Sequence, residues 1–154
     1  MASVTTGKKV PGFSLPATAG TFASAAARGR KLVVYFYPRD NTPGCTREGE
    51  AFRDLHAKFR RAGATVIGIS PDRLATHEKF RAKMRFPFEL GSDEDRKVAQ
   101  QFGVWKEKSL YGRKVMGIER STFLIDAEGV LRQVWRKVRV DGHAEAVLAA
   151  VKAL

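Results

Sequence analysis

The chain has 154 residues, 44% hydrophobic and 29% charged, a length that predicts one domain over residues 1–154 and a mix that argues against disorder. Its 28 Lys and Arg outweigh 16 Asp and Glu to give +12; both halves share the excess, so a solvated basic surface is expected, and no RNP-type motif, zinc finger or KH loop points to specific nucleic-acid binding. One cysteine excludes an intramolecular disulfide and a Cys-rich zinc module, while the lack of an apolar run of roughly 18 residues or of an N-terminal signal region predicts no membrane attachment and a cytoplasmic protein.

Val10 to Leu15 reads as a short extended piece ahead of a turn at Gly20. Leu32-Val-Val-Tyr-Phe-Tyr37 is an unbroken apolar and aromatic run, the pattern of a strand buried on both faces. Pro38 ends it, and Arg39 to Gly44 carries turn chemistry. From Thr46 to about Arg61, Phe52, Leu55 and Phe59 recur at helical spacing. Thr65 to Ile69 is the next buried strand. Asp72 is the expected N-cap of a helix with Leu74, His77, Phe80 and Met84 on one stripe. Ser92-Asp-Glu-Asp95 resembles a capping box opening a short helix that closes at Gly103. Thr122–Ile125 and Val130–Trp135 flank a Gly-containing turn and predict a hairpin, in which Asp126 has a turn role. His143 to Leu154 closes the chain as an amphipathic helix. Two buried strands joined by a helix require a right-handed parallel crossover, and the late hairpin adds antiparallel strands. The expected fold class is therefore α/β, a mixed central sheet with helices on both faces.

Cys45 falls where a buried strand gives way to a helix. There, unpaired backbone N–H groups and the positive end of the helix dipole favour a thiolate. A lone cysteine is commonly a buried structural residue, yet Pro38, Asn41, Thr42, Pro43 and Gly44 form a shaped polar turn around this one. Arg120, taken alone, reads as a surface arginine at a strand start.

Pro38-Arg-Asp-Asn-Thr42-Pro-Gly-Cys45 fits a P-x-x-x-T-x-x-C pattern, and the longer Tyr35 to Glu48 string resembles the peroxiredoxins, specifically the bacterioferritin-comigratory (PrxQ) subfamily. The likeness continues through Val66-Ile-Gly-Ile-Ser70, Phe102-Gly-Val-Trp-Lys-Glu107, Arg120-Ser-Thr-Phe-Leu-Ile-Asp126 and Gly142-His143. It implies a thioredoxin-like fold and a thiol-dependent peroxidase that reduces hydrogen peroxide and organic hydroperoxides in antioxidant defence. Residue by residue, it makes Cys45 the nucleophile, Thr42 and Arg120 its hydrogen-bonding and charged partners, and Pro38 a shield over the sulfur.

The resemblance has a gap. Where many relatives carry a resolving cysteine, this chain has Glu50, and the region of a second such site holds Arg81. The expected cycle is consequently of the one-Cys type, in which an external thiol (thioredoxin, glutaredoxin or glutathione) reduces a Cys45 sulfenic acid. The resemblance implies a protein that works as a monomer, and no metal or other cofactor is expected, because His56, His77 and His143 show no ligand spacing. His56 and His77 read as helix-surface or partly packed residues, and Trp105 and Trp135 as core or rim aromatics. The competing reading is a catalytically idle basic binding protein that has kept the fold.

Overall fold

The computed structural model describes residues 4–154. The strand the apolar run predicts, Lys31–Phe36, is an inner one, third in chain order and designated β3, after an N-terminal hairpin of β1 (Ser14–Ala17) and β2 (Gly20–Ala23) and a short 3-10 turn over Ser24–Ala27. Helix α1 (Pro43–Arg61) crosses over to β4 (Ala64–Ser70), and α2 (Leu74–Met84) leads to β5 (Glu89–Ser92). The short α3 (Lys97–Gln101) precedes the separate hairpin of β6 (Trp105–Leu110) and β7 (Arg113–Ile118). Strands β8 (Ser121–Ile125) and β9 (Leu131–Trp135), then helix α4 (His143–Lys152), complete the chain.

Among the described residues, seven strands form one mixed sheet in the order β2-β1-β5-β4-β3-β8-β9. β3 runs parallel to β4, with Val33 opposite Val66, and antiparallel to β8, with Val34 opposite Phe123. Because successive side chains alternate between faces, β3 feeds two cores at once. Leu32, Val34 and Phe36 pack with Phe102, Phe123 and Leu131 on one face. Val33, Tyr35 and Tyr37 pack with Phe52 and Phe59 of α1, Phe80 of α2 and Val147 of α4 on the other. Gly49 lets α1 approach the Phe86 ring, since a Cβ there would fall 2.3 Å from its Cζ.

The register that matters most is Phe36 opposite Ser121. It brings the segment before β8 to the same sheet edge where β3 ends and α1 begins. The parallel strands β4 and β5 also finish at that edge, at Ser70 and Ser92.

Several local expectations need correction. Helix α1 starts at Pro43 rather than Thr46, with Thr42 as N-cap residue and Pro at the first turn, a position where a missing N–H costs nothing. Arg73, not Asp72, is the N-cap residue of α2; the Asp72 carboxylate instead accepts from the Asp40 N–H at 2.8 Å and the Ser70 hydroxyl at 2.5 Å. The Ser92–Asp95 capping box does not form: Ser92 lies in β5, and Asp93 accepts from the N–H groups of Val98 and Ala99 at 3.1 and 2.8 Å. The turn at Gly20 is the start of β2. Leu154, expected on the apolar face of α4, is exposed.

Candidate functional site

Cys45 is the third residue of α1 and is only 2% exposed. Arg120 enters from the residue before β8 and donates from Nη2 to the Cys45 Sγ at 3.3 Å. Its other terminal nitrogen, Nη1, donates to Glu48 Oε1 at 2.6 Å. The planar fork of a guanidinium is thus held at one tine and aimed with the other. Gly44 makes room for it: a Cβ on that residue would sit 3.2 Å from Nη2.

Glu48, one helical turn after Cys45, is 1% exposed, and among the described residues its Oε2 is a buried oxygen with no hydrogen-bond partner. Burial pushes its carboxyl up to about 7 against the opposing pull of Arg120. Burial likewise disfavours the Arg120 cation, but Glu48 and Cys45 outweigh it and hold the guanidinium charged. The Cys45 sulfur therefore faces a permanent cation in a dry setting, where charge counts for more than in water.

Thr42 and Pro38 lie half-buried in the loop between β3 and α1. The Thr42 hydroxyl donates to the Arg39 carbonyl at 2.9 Å, which leaves its oxygen able to accept. The Thr42 carbonyl accepts the first helical bond, from Thr46 N–H at 2.8 Å.

Beneath this loop lies a buried network. Asp40 accepts from the Tyr37 hydroxyl at 2.6 Å, and its other oxygen meets His77 Nδ1 at 2.6 Å. His77 Nε2 faces the Gly91 carbonyl at 2.9 Å, an acceptor only, so that nitrogen carries hydrogen. His77 is fully buried rather than at the helix surface, because the stripe it shares with Phe80 turns inward. The ligand atoms of Asp40, Asp72 and His77 lie within 4.8 Å of one another, a closeness taken up by hydrogen bonds that tie α2 and β5 to the loop bearing Thr42. Within electrostatic reach of Arg120, Thr122 Oγ1 meets His143 Nε2 at 2.8 Å. Burial, and then Arg120, lowers the His143 imidazole to about 4, which keeps it neutral at pH 7.

The structure thus joins Cys45 directly to Arg120 and places Thr42 and Pro38 in the adjoining loop. Glu48 and the Asp40–His77 pair are partners the sequence reading did not single out. For Glu48 a signal existed, since a residue three positions on from a buried helical cysteine shares its face.

The family model described as "AhpC/TSA family" matches residues 6–134. The chain is 51% identical over 144 residues to "Peroxiredoxin Bcp" of Xanthomonas campestris pv. campestris, covering 92% of this chain and 90% of that one. To "Peroxiredoxin Bcp" of Bacillus subtilis it is 46% identical over 147 residues, 95% and 94% of the two chains. A solved structure of the Xanthomonas campestris bacterioferritin comigratory protein, one described in terms of its alkyl peroxide reduction activity, superposes with a TM-score of 0.88 at 49% identity over 92% of this chain and 90% of that one. The thioredoxin-like fold expected from the sequence is the one these proteins share. Among the described residues, no helix is long and apolar enough to cross a membrane.

Proposed function

Given that the chain belongs to the AhpC/TSA family, as a peroxiredoxin of the Bcp/PrxQ group, we propose that Cys45 reduces hydrogen peroxide and organic hydroperoxides in a one-Cys cycle completed by an external thiol. The observation that carries the reading is the Arg120 guanidinium, 3.3 Å from the Cys45 Sγ and anchored at its other nitrogen by Glu48.

In this reading the Cys45 thiolate attacks the terminal oxygen of ROOH. An S–O bond forms, the O–O bond breaks, and RO⁻ leaves to take up a proton as ROH. Cys45 becomes a sulfenic acid. Negative charge spreads from sulfur over two oxygens in the transition state, so the fixed Arg120 donor and the free N–H groups of the first turn of α1 are strongest at that moment. The Thr42 hydroxyl contributes a hydrogen bond to the peroxide, and Pro38 limits water at the sulfur. The alkyl peroxide reduction named for the Xanthomonas relative supports organic substrates.

The chain's single cysteine supports resolution by another molecule, with thioredoxin, glutaredoxin and glutathione as the candidate thiols. The test is a single turnover of the reduced protein with one equivalent of peroxide, read by intact mass under non-reducing conditions. One added oxygen and a dimedone adduct at Cys45 are expected, followed by recovery of the thiol on adding reductant. A Cys45–Cys45 disulfide dimer as the main product would overturn the one-Cys cycle, and no loss of peroxide would restore the idle binding protein.

A further inference from the structure

Resting on the one-Cys reading, the geometry points to a docking groove beside Arg120 for a low-molecular-mass thiol that carries two carboxylates and an ammonium group. The groove has a volume of about 480 Å3 and is lined by Lys106, Lys108 and Arg120 together with Lys137, Glu107 and Glu119. Its size is that of a site for a small molecule. Four cationic and two anionic residues line it, and a zwitterion with one more acid than base suits that excess of positive charge.

Two features show that these cations are placed rather than scattered. Lys108 lies across Gly117, its Cδ 3.4 Å from where a Cβ would be, and its ammonium donates to the Ile118 carbonyl. Lys137 occupies the left-handed region at φ 49°, an uncommon conformation for a residue with a long side chain. The turn it makes is pinned by the Val138 N–H, which donates to the Arg120 carbonyl at 3.0 Å. Backbone strain is thus accepted at the residue that brings a lysine to the groove wall.

Arg120 connects the groove to the chemistry, because it lines the groove and its guanidinium touches the Cys45 Sγ. Cys45 is 2% exposed, which favours a small thiol over one fixed on a protein surface. With its carboxylates on the lysines, the docked thiolate attacks the Cys45 sulfenic sulfur. The S–S bond forms, the S–O bond breaks, and the oxygen leaves as water with the thiol's proton. A second thiol then displaces Cys45 as thiol and departs as the small-molecule disulfide. Two thiols are oxidised by two electrons in all, and one sulfenic acid is reduced.

The experiment compares two reductants on preformed sulfenic acid by stopped flow: glutathione, which has the required charges, and β-mercaptoethanol, which is neutral. In the Lys106→Gln/Lys137→Gln double variant the glutathione to β-mercaptoethanol rate ratio should fall about tenfold, the product of two exposed charge contacts of about threefold each. Added salt should lower the same ratio in the wild type, and Lys58→Gln, remote on α1, should leave it unmoved. An unchanged ratio in the double variant overturns the groove while leaving the one-Cys cycle standing. Sulfenic acid that neither small thiol reduces overturns the groove, and only if thioredoxin and glutaredoxin also fail is the one-Cys cycle overturned with it. A thioredoxin rate that falls in the double variant while the glutathione rate holds would assign the surface to a protein instead and overturn the small-thiol inference.

Discussion

Glu48→Gln removes the charge of the buried carboxyl while keeping its shape. Burial lifts the native value from 4.5 to about 7, so between those limits the unfolded chain releases a proton that the native chain retains. The associated stability is whole below about pH 4.5 and is lost as pH rises through 7. At 1.36 kcal/mol per pH unit, that interval corresponds to about 3 kcal/mol. Glutamine cannot ionise, so the variant escapes the loss. Relative to the wild type it should gain about 3 kcal/mol between pH 4.5 and pH 8, or about 6–12 °C in Tm for a chain of this length. Thermal unfolding of both reduced proteins in parallel from pH 4.5 to 8 reads this directly. Other titrating groups, His143 included, act in both proteins and cancel in the difference to first order. A constant offset between the two curves across that range would refute the reasoning, because it would mean that Glu48 is ionised throughout in the native state.

Arg120→Ala should slow oxidation of Cys45 by peroxide by about 10²–10³-fold, the scale for loss of one donor to developing negative charge; single-turnover mixing measures it, and a near wild-type rate would return Arg120 to a surface role. Gly44→Ala should slow the same step by about tenfold, since its Cβ would press on Nη2 at 3.2 Å and shift the guanidinium. Its unfolding midpoint should hold or rise, alanine being the better helix former by up to about 1 kcal/mol. Thr42→Val should cut the rate and Thr42→Ser should keep most of it; equal rates in the two would leave Thr42 only a loop-shaping role.

What the sequence made legible follows from how strongly each segment's pattern departs from its neighbours. The Leu32–Tyr37 run and the Phe52, Leu55, Phe59 spacing are unambiguous because both patterns arise from burial, and β3 and α1 lie where they predict. The β6–β7 hairpin escaped notice because Trp105-Lys-Glu-Lys-Ser-Leu110 alternates little and both of its strands are largely exposed. Its tip, Tyr111-Gly112, has two positive φ values, 52° and 76°, as a tight two-residue hairpin requires, but tyrosine is an unusual occupant and hid the turn. In the site, Cys45 and Thr42 were readable as a local motif, and Arg120 only through resemblance, since nothing local distinguishes it from an exposed arginine. His77 shows the opposite failure. Its place on the Leu74, Phe80, Met84 stripe predicted burial, and its polarity argued for the surface; Asp40 and the Gly91 carbonyl decided it by satisfying both ring nitrogens.

The pairing of Phe36 with Ser121 also sets the order in which reactivity arises. Cys45 and Arg120 are 75 residues apart, so they meet only when β8 has docked against β3, a long-range closure that comes late relative to helix formation. Until then a growing or partly unfolded chain carries a thiol with no guanidinium beside it. On the proposed chemistry, the immature chain should react slowly with peroxide and the completed sheet should react fast. In that reading, the closing of the sheet is also the step that completes the reactive pair.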